Sequence, residues 1–396
     1  MEHVNKNRSA LRLPLVAGVA AASALVRPVT GAARGVRRSM AADAPFSRPP
    51  VHESPQFHDG AFCNRLPSDV VQSGSQSSMA VEYARKGNRG RPAGVVPLVT
   101  PSFPAAAGDL AATWLGHSTV IVEVGGHYVL VDPVWSERVS PSATIGPKRS
   151  HPLPMTLEDL PSVTAVLISH DHYDHLDTAT IDALTEQQPQ LVFVVPLGIG
   201  AHLRLWGVPE ERIVELDWDE SHTITSAGRQ DLTLTCTEAR HFSGRGFSRN
   251  NTLWSSWAIV AGTGRKRRSV FFGGDTGYTP AFADIGRMYG PFDLTVLPIG
   301  AYDERWADIH MNPAEAVRTH LDVFGGVLLP IHWATFDLAF HTWAAPIEWL
   351  VEEATEHDVL IATPRPGERF EVAGDLPRTD WWTEISREAQ RGNCAS

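Results

Sequence analysis

The stretch VTAVLISHDHYDHLD, residues 163–177, constrains this chain most, because it places three histidines and three aspartates in eight positions directly behind an apolar run. The run VTAVLIS has the short, β-branched character of a buried strand. His170 and His172 lie two apart just beyond it, so in extended backbone both imidazoles face the same side. One metal ion can take both. Asp174 and His175 follow as the chain turns toward a helix expected to begin near Asp177, which aims a second ligand pair close to the first. Buried without a cation, so many ring nitrogens and carboxylates would be left unsatisfied. The chain must therefore form a sheet with at least one strand end opening on a metal pocket.

Further ligands are expected at later strand ends. His241 follows LTLTCTEAR, Asp275 follows SVFFGG, and His332 follows GVLLPI. A lone polar residue at such a junction is usually a cap or a satisfied core group. Three of them beside the cluster at 170–175 read as a ligand set.

The surrounding pattern is mixed α/β. Short β-branched runs at 110–124 and 127–132 read as hairpin strands. Further strands are expected near 163–169, 191–196, 212–216, 222–226, 231–237, 254–261, 268–273, 294–298, 326–331 and 358–362. Helices are expected near 177–188, 199–206, 279–289, 313–323 and 345–356, the last two opening after Pro-containing turns. Neither GxGxxG nor GxxxxGK[ST] occurs, so the pattern favours two sheets faced by helices over a dinucleotide-binding or P-loop domain.

The 396 residues suffice for a large core. Residues 1–40 hold seven Lys and Arg against one acidic residue, leaving a body with 27 basic and 44 acidic residues. So acidic a body excludes nucleic acid as a partner, because phosphate backbones are held mainly by clustered Lys and Arg. Cys63, Cys236 and Cys394 are odd in number and widely spaced, which fits neither a disulfide framework nor a zinc ribbon. Residues 1–40 read as a basic leader: their apolar run at 13–26 is short for a membrane span, and arginines flank it on both sides. Met40 is an alternative start. The expected location is the cytoplasm, with membrane association or targeting assigned to the leader. Residues 41–109, rich in Pro, Ser, Gly and Ala, read as an extended arm, and 110–396 as the domain that carries the ligand set.

In the order H-x-H-x-D-H, a later His, an Asp in GGDTGY and a His in PIHW, the sequence resembles the metallo-β-lactamase superfamily. It is most similar to the branch of N-acyl-phosphatidylethanolamine-hydrolysing phospholipase D and its bacterial relatives. WLGHSTVIVEVGGHYVLVDPVWSERVSPSATIGPKR, SHDHYDHLD, LWSSWAIV, FFGGDTGY, HMNPAEAV and PIHWATFDLA carry that likeness across residues 110–365. The resemblance implies a four-layer αββα sandwich with its site at one edge of the sheets. It implies two zinc ions per chain, one on His170, His172 and His241, the other on Asp174, His175 and His332, with Asp275 bridging. Imidazole and carboxylate suit zinc, and iron and manganese remain alternatives.

The implied activity is hydrolysis of a lipid phosphodiester by a hydroxide held between the metals, at a site in peripheral contact with a membrane. A lactone or β-lactam is the alternative substrate, and a non-catalytic metal-binding or membrane-scaffold protein is the alternative of another class. Four neighbours complete the expectation. Asp132 would orient a ligand histidine from behind, and His117 would face the same layer. Tyr173 would donate to a substrate oxygen, and His310 would serve as an acid or phosphate contact. Trp257 and Trp333 read as core or rim. The loop HFSGRGFSRNNT is where substrate-dependent variation is expected.

Overall fold

The computed structural model describes residues 30–41, 44, 49–71, 79, 81–82, 85–246 and 248–385. The apolar run at 13–26, the basic residues before it and Cys394 lie outside the described residues. Two seven-stranded sheets make up the body. The first comprises β3 (Leu110–Gly116), β4 (Thr119–Val124), β5 (His127–Val131), β6 (Ala165–Leu167), β7 (Val192–Pro196), β8 (Ile213–Leu216) and β16 (Arg369–Glu371), in the order 16-3-4-5-6-7-8. The second runs in sequence order from β9 (Ser221–Ile224) through β10 (Leu232–Thr237), β11 (Ser256–Ala261), β12 (Arg268–Phe272), β13 (Phe292–Pro298) and β14 (Gly325–Ile331) to β15 (Leu360–Ile361).

Alternation along the strands sorts side chains into layers. Ala112, Trp114, Val120, Val122, Val129, Val131 and Leu167 face the second sheet and share a core with Leu234, Trp257, Phe272 and Val296. Their neighbours Leu115, Ile121, Leu130, Val166, Phe193 and Val195 face the other way. There they meet Ile181 and Leu184 of α3 (Thr178–Gln187) and Ile199 and Leu203 of α4 (Ile199–Leu205). The second sheet is covered by α5 (Ala281–Tyr289), α6 (Pro313–Asp322) and α7 (Ala345–Glu356), which bring in Phe282, Ile285, Val317, Ile347 and Leu350. The architecture is an αββα sandwich. The expected strands and helices are all present, with the run at 110–124 divided into β3 and β4 at His117, whose φ is 50°.

In each sheet the strands nearest the site are parallel. β5, β6 and β7 run side by side, as do β12, β13 and β14. Their carboxyl ends therefore collect at one edge, where ligands gather in open α/β sheets. The sheets touch there through backbone: Ser255 N–H donates to Ser169 O at 2.9 Å and His332 N–H to His117 O at 3.0 Å.

Segments ahead of β3 also pack on this body. α1 (Thr30–Ser39) is held by Arg38, which pairs with Asp182 and donates to Trp206 O, while Trp206 Nε1 donates to Arg38 O at 2.9 Å. A short α2 (Pro49–Glu53) leads to the hairpin of β1 (Phe57–His58) and β2 (Ala61–Phe62), where Phe62 is fully buried. Among the described residues no helix is long and apolar enough to cross a membrane.

Candidate metal centre

The ligand stretch leaves β6 at Leu167 and stays pinned to the opposite sheet, with Trp257 Nε1 donating to Ile168 O at 3.1 Å. This contact makes Trp257 a core residue. Beyond the strand the chain bends, and the rings of His170 and His172, two positions apart, meet with 4.5 Å between centroids. His170 Nε2 lies 2.8 Å from His172 Nδ1, and His241 Nε2 lies 3.3 Å from the same atom. His241 arrives from the loop after β10, its Nδ1–H donating to Ile309 O at 2.9 Å. That bond fixes the tautomer and leaves Nε2 as a lone-pair donor.

A second group forms alongside. Asp174 Oδ2 lies 3.5 Å from His175 Nε2, 3.4 Å from His332 Nε2 and 2.9 Å from His117 Nε2. Asp275 stands between the two groups: its Oδ2 is 3.2 Å from His175 Nε2, 3.0 Å from His332 Nε2 and 4.0 Å from His170 Nε2. In each of the sets His170, His172, His241 and His117, Asp174, His175, His332, the donor atoms lie within 4.8 Å of one another.

Backbone geometry brings these side chains in. Gly274, at φ +61°, precedes Asp275 in a spot where a Cβ would sit 2.7 Å from Ser255 O and 2.8 Å from Ser169 Cβ. Only glycine lets β12 end this close to the first sheet. His117, Asp132 and His332 all adopt left-handed φ, at 50°, 43° and 62°. Non-glycine residues in that region are strained and persist where surrounding structure holds them. Trp114 supports the turn by donating to His117 O at 2.7 Å, and Trp333 stacks on Trp114 in the core, 5.6 Å between ring centroids.

Asp132 hydrogen-bonds to His175 and Ser169. Its Oδ2 accepts from His175 Nδ1 at 2.7 Å and from Ser169 Oγ at 2.6 Å, and its Oδ1 accepts from Ser169 N at 2.7 Å. His310 reaches the same pocket from the loop before α6, with Nδ1 3.8 Å from Asp275 Oδ2 and its side chain 15% exposed. Tyr173 behaves differently: its phenol donates to Arg245 O, and burial pushes its pKa up to about 12. The hydroxyl hydrogen is thus directed at this carbonyl.

The electrostatics fit a cation. Burial pushes the imidazoles of His170 and His241 well below their usual range, into the neutral form in which a histidine binds metal, and likewise keeps His117, at about 3, and His310, at about 4, neutral beside them. Burial works against charge on His175 and His332 too, but Asp275 and Asp174 outweigh it and lift His175 well above its usual range and His332 to about 9. Asp174 and Asp275 stay ionised against the same burial because His175 faces both. His175 Nε2, His332 Nε2 and Asp275 Oδ1 are buried without a hydrogen bond. Orphaned donors of this kind, converging around two carboxylates, are the chemistry of a metal pocket.

Sequence reasoning missed Asp171, which sits between two proposed ligands and points away from them. It accepts Gly244 N–H at 2.7 Å and contacts His202 Nε2 at 3.3 Å. Its period-two position gave the direction, but its partners come from loops far along the chain. Asn64 was missed as well; it accepts from His241 N at 3.1 Å and donates to His241 O at 2.8 Å.

Residues 127–333 match the family profile described as the β-lactamase superfamily domain. The chain belongs to the metallo-β-lactamase superfamily. It is 48% identical over 382 residues to an uncharacterised protein of Mycobacterium tuberculosis strain H37Rv, covering 95% of this chain and 99% of that one. It is 42% identical over 236 residues to N-acyl-phosphatidylethanolamine-hydrolyzing phospholipase D 1 of Caenorhabditis elegans, 58% of this chain and 65% of that one. Among solved structures it shares its fold with a metallo hydrolase of the archaeon Ignicoccus hospitalis, at a TM-score of 0.51 and 22% identity over 66% of this chain and 98% of that one. The chain is thus a hydrolytic enzyme of this superfamily, with a His and Asp cluster able to bind metal.

Proposed function

We propose that this superfamily member is a two-zinc phosphodiesterase of the phospholipase D type, acting on N-acyl-phosphatidylethanolamine-like lipids. The observation that carries the reading is the pair of adjoining donor sets with Asp275 between them. His170, His172 and His241 would hold one ion, Asp174, His175 and His332 the other, and Asp275 both. When bound, two such ions supply Lewis acidity and an activated water. The chain's own part is to position and polarise. Asp132 and the Ile309 carbonyl fix the tautomers of His175 and His241, so that each presents Nε2. His117 steers Asp174 Oδ2, and His310, largely buried beside Asp275, contacts a phosphoryl oxygen of the substrate. The lipid class is supported by the name of the Caenorhabditis elegans relative, and it makes surface contact with a membrane part of this reading.

The test is turnover of N-acyl-phosphatidylethanolamine in mixed micelles, a lactone and a β-lactam by one preparation whose metal content is measured. Phosphodiester cleavage with two zinc ions per chain is expected. Lactone or β-lactam turnover without phosphodiester cleavage would overturn the substrate assignment.

A further inference from the structure

Beneath the ligand stretch lies a buried cation that the catalytic reading does not use. Arg245 is 5% exposed. Its Nη1 donates to two carbonyls, Asp171 O at 2.7 Å and Leu176 O at 2.6 Å. Those two residues bracket His172, Asp174 and His175. Within the bracket the chain is folded tightly, with the amides of His175 and Leu176 both donating to His172 O. The guanidinium lies 4.1 Å from the Tyr173 ring centroid and 5.2 Å from that of Trp206. The contact is returned, since the Tyr173 phenol donates to Arg245 O and Gly244 N–H donates to Asp171 Oδ1.

The third partner comes from the opposite end of the chain. Arg245 Nε donates to Ser39 O at 2.9 Å, at the carboxyl end of α1. α1 is fixed there by Arg38, whose guanidinium reaches Asp182 and Trp206 O, and by Ala41, which is 1% exposed. Trp206 thus touches both arginines. Among the described residues no carboxylate forms an ion pair with Arg245, and its Nη2 is buried without a hydrogen bond. Burying a guanidinium on such terms is unfavourable. Packing alone does not account for a cation here, because an apolar side chain would fill the space between Tyr173 and Trp206 without that penalty.

We infer that Arg245 is a positioning residue for the metal ligands, and that α1, by seating Arg245 through Ser39 O, is a working part of the hydrolase domain rather than a removable leader. The mechanism is mechanical: one nitrogen holds the carbonyls at 171 and 176 at a fixed separation, which sets where His172, Asp174 and His175 aim. This inference rests on the metal reading of the site.

The experiment uses the full chain as wild type, Arg245→Gln, Arg245→Lys, Arg38→Glu and the Arg245→Gln, Arg38→Glu double variant. Arg38→Glu sets a carboxylate against Asp182 and should lift α1 from Trp206 without touching the core. Zinc affinity is read by chelator competition, ligand geometry by the visible spectrum of the cobalt-substituted protein, and folding by Tm with and without metal.

Arg245→Gln and Arg38→Glu should each weaken zinc binding, by about 10- to 100-fold for the first, the range for partners that orient ligands, and by less for the second. Arg245→Lys, which can still reach one carbonyl, should recover part of the loss. The double variant should bind no more weakly than Arg245→Gln alone, and the zinc-induced rise in Tm should shrink. Unchanged zinc affinity and cobalt spectrum in Arg245→Gln, or losses that simply add in the double variant, overturn the inference. So does equal loss of Tm with and without metal at unchanged affinity, which marks a purely structural arginine. Wild type that binds no zinc defeats the metal reading itself, a different result from wild type that binds two ions and variants that match it.

Discussion

Replacing Asp132 with Asn isolates the orientation of one ligand histidine. Asparagine tolerates left-handed backbone, so the φ of 43° at this position is preserved and the side-chain volume barely changes. What changes is hydrogen-bond polarity. All three partners of the carboxylate, Ser169 N, Ser169 Oγ and His175 Nδ1, are close enough to donate, at 2.6–2.7 Å. An amide group at Oδ2 would meet two of these donors, so the side chain should place its NH2 at Oδ1 against Ser169 N–H. One backbone donor is then unsatisfied, costing about 1–3 kcal/mol of stability, and the bond to His175 falls from the roughly 1.5–3 kcal/mol of a charged pair to the roughly 0.5–1.5 kcal/mol of a neutral one. The second loss, about 1–1.5 kcal/mol, falls on the ion proposed at His175 and amounts to roughly a tenfold weaker site, using about 1.4 kcal/mol per tenfold change. Titrating loaded protein with a chelator, with released zinc followed by a dye, should show one ion leaving early and one holding as in wild type. A folded Asp132→Asn protein that keeps both ions with wild-type affinity would refute the role given to this carboxylate.

Asp275→Asn removes the anion between the donor groups; the Asp174 side should empty first and turnover fall at least about a hundredfold, checked by metal stoichiometry alongside activity. Gly274→Ala forces a Cβ against Ser255 O and Ser169 and strains φ, so the melting transition should fall by the equivalent of about 1–3 kcal/mol, with two wild-type-like ions and an unchanged Tm counting against it. His332 keeps its proton to about pH 9 in chelated protein, against about 6.5 for a free imidazole. The chelated fold therefore binds more protons than the unfolded chain between those values, and its stability should decline as pH climbs from about 6.5 to 9. Zinc displaces that proton, so the zinc-induced rise in Tm should widen over the same window; melts at pH 6.5 and 9 that differ equally with and without zinc would contradict this.

The parts of the site legible in sequence were those carried by strand direction. His170 and His172 two apart behind VTAVLIS, and single polar residues closing SVFFGG and GVLLPI, give both the donor and its aim because a strand fixes where its end points. His310 lay in no strand and was reached only through family likeness; its position comes from the loop ahead of α6, whose Asn312 and Glu315 form a reciprocal cap. Arg245 and Asn64 were not singled out because their work is done through backbone carbonyls and amides, which every residue possesses and no composition marks. The strand Arg369–Glu371 was missed for a related reason: it has three residues and exists by pairing with Leu110–Gly116, more than 200 positions earlier.

The left-handed backbone at His117, Asp132 and His332 bears on how this enzyme can change over generations. A newcomer at any of these positions must accept a conformation that β-branched residues resist, and at His332, the proposed ligand among them, it must also offer a metal donor atom. Asn and Asp adopt that conformation readily, and Asp also offers a donor; most other replacements at His332 fail one or the other. Single-step routes toward a different coordination set are therefore few, and those that stay open lead toward more carboxylate. A drift in metal preference should follow that narrow path, toward harder ions, before it follows any other.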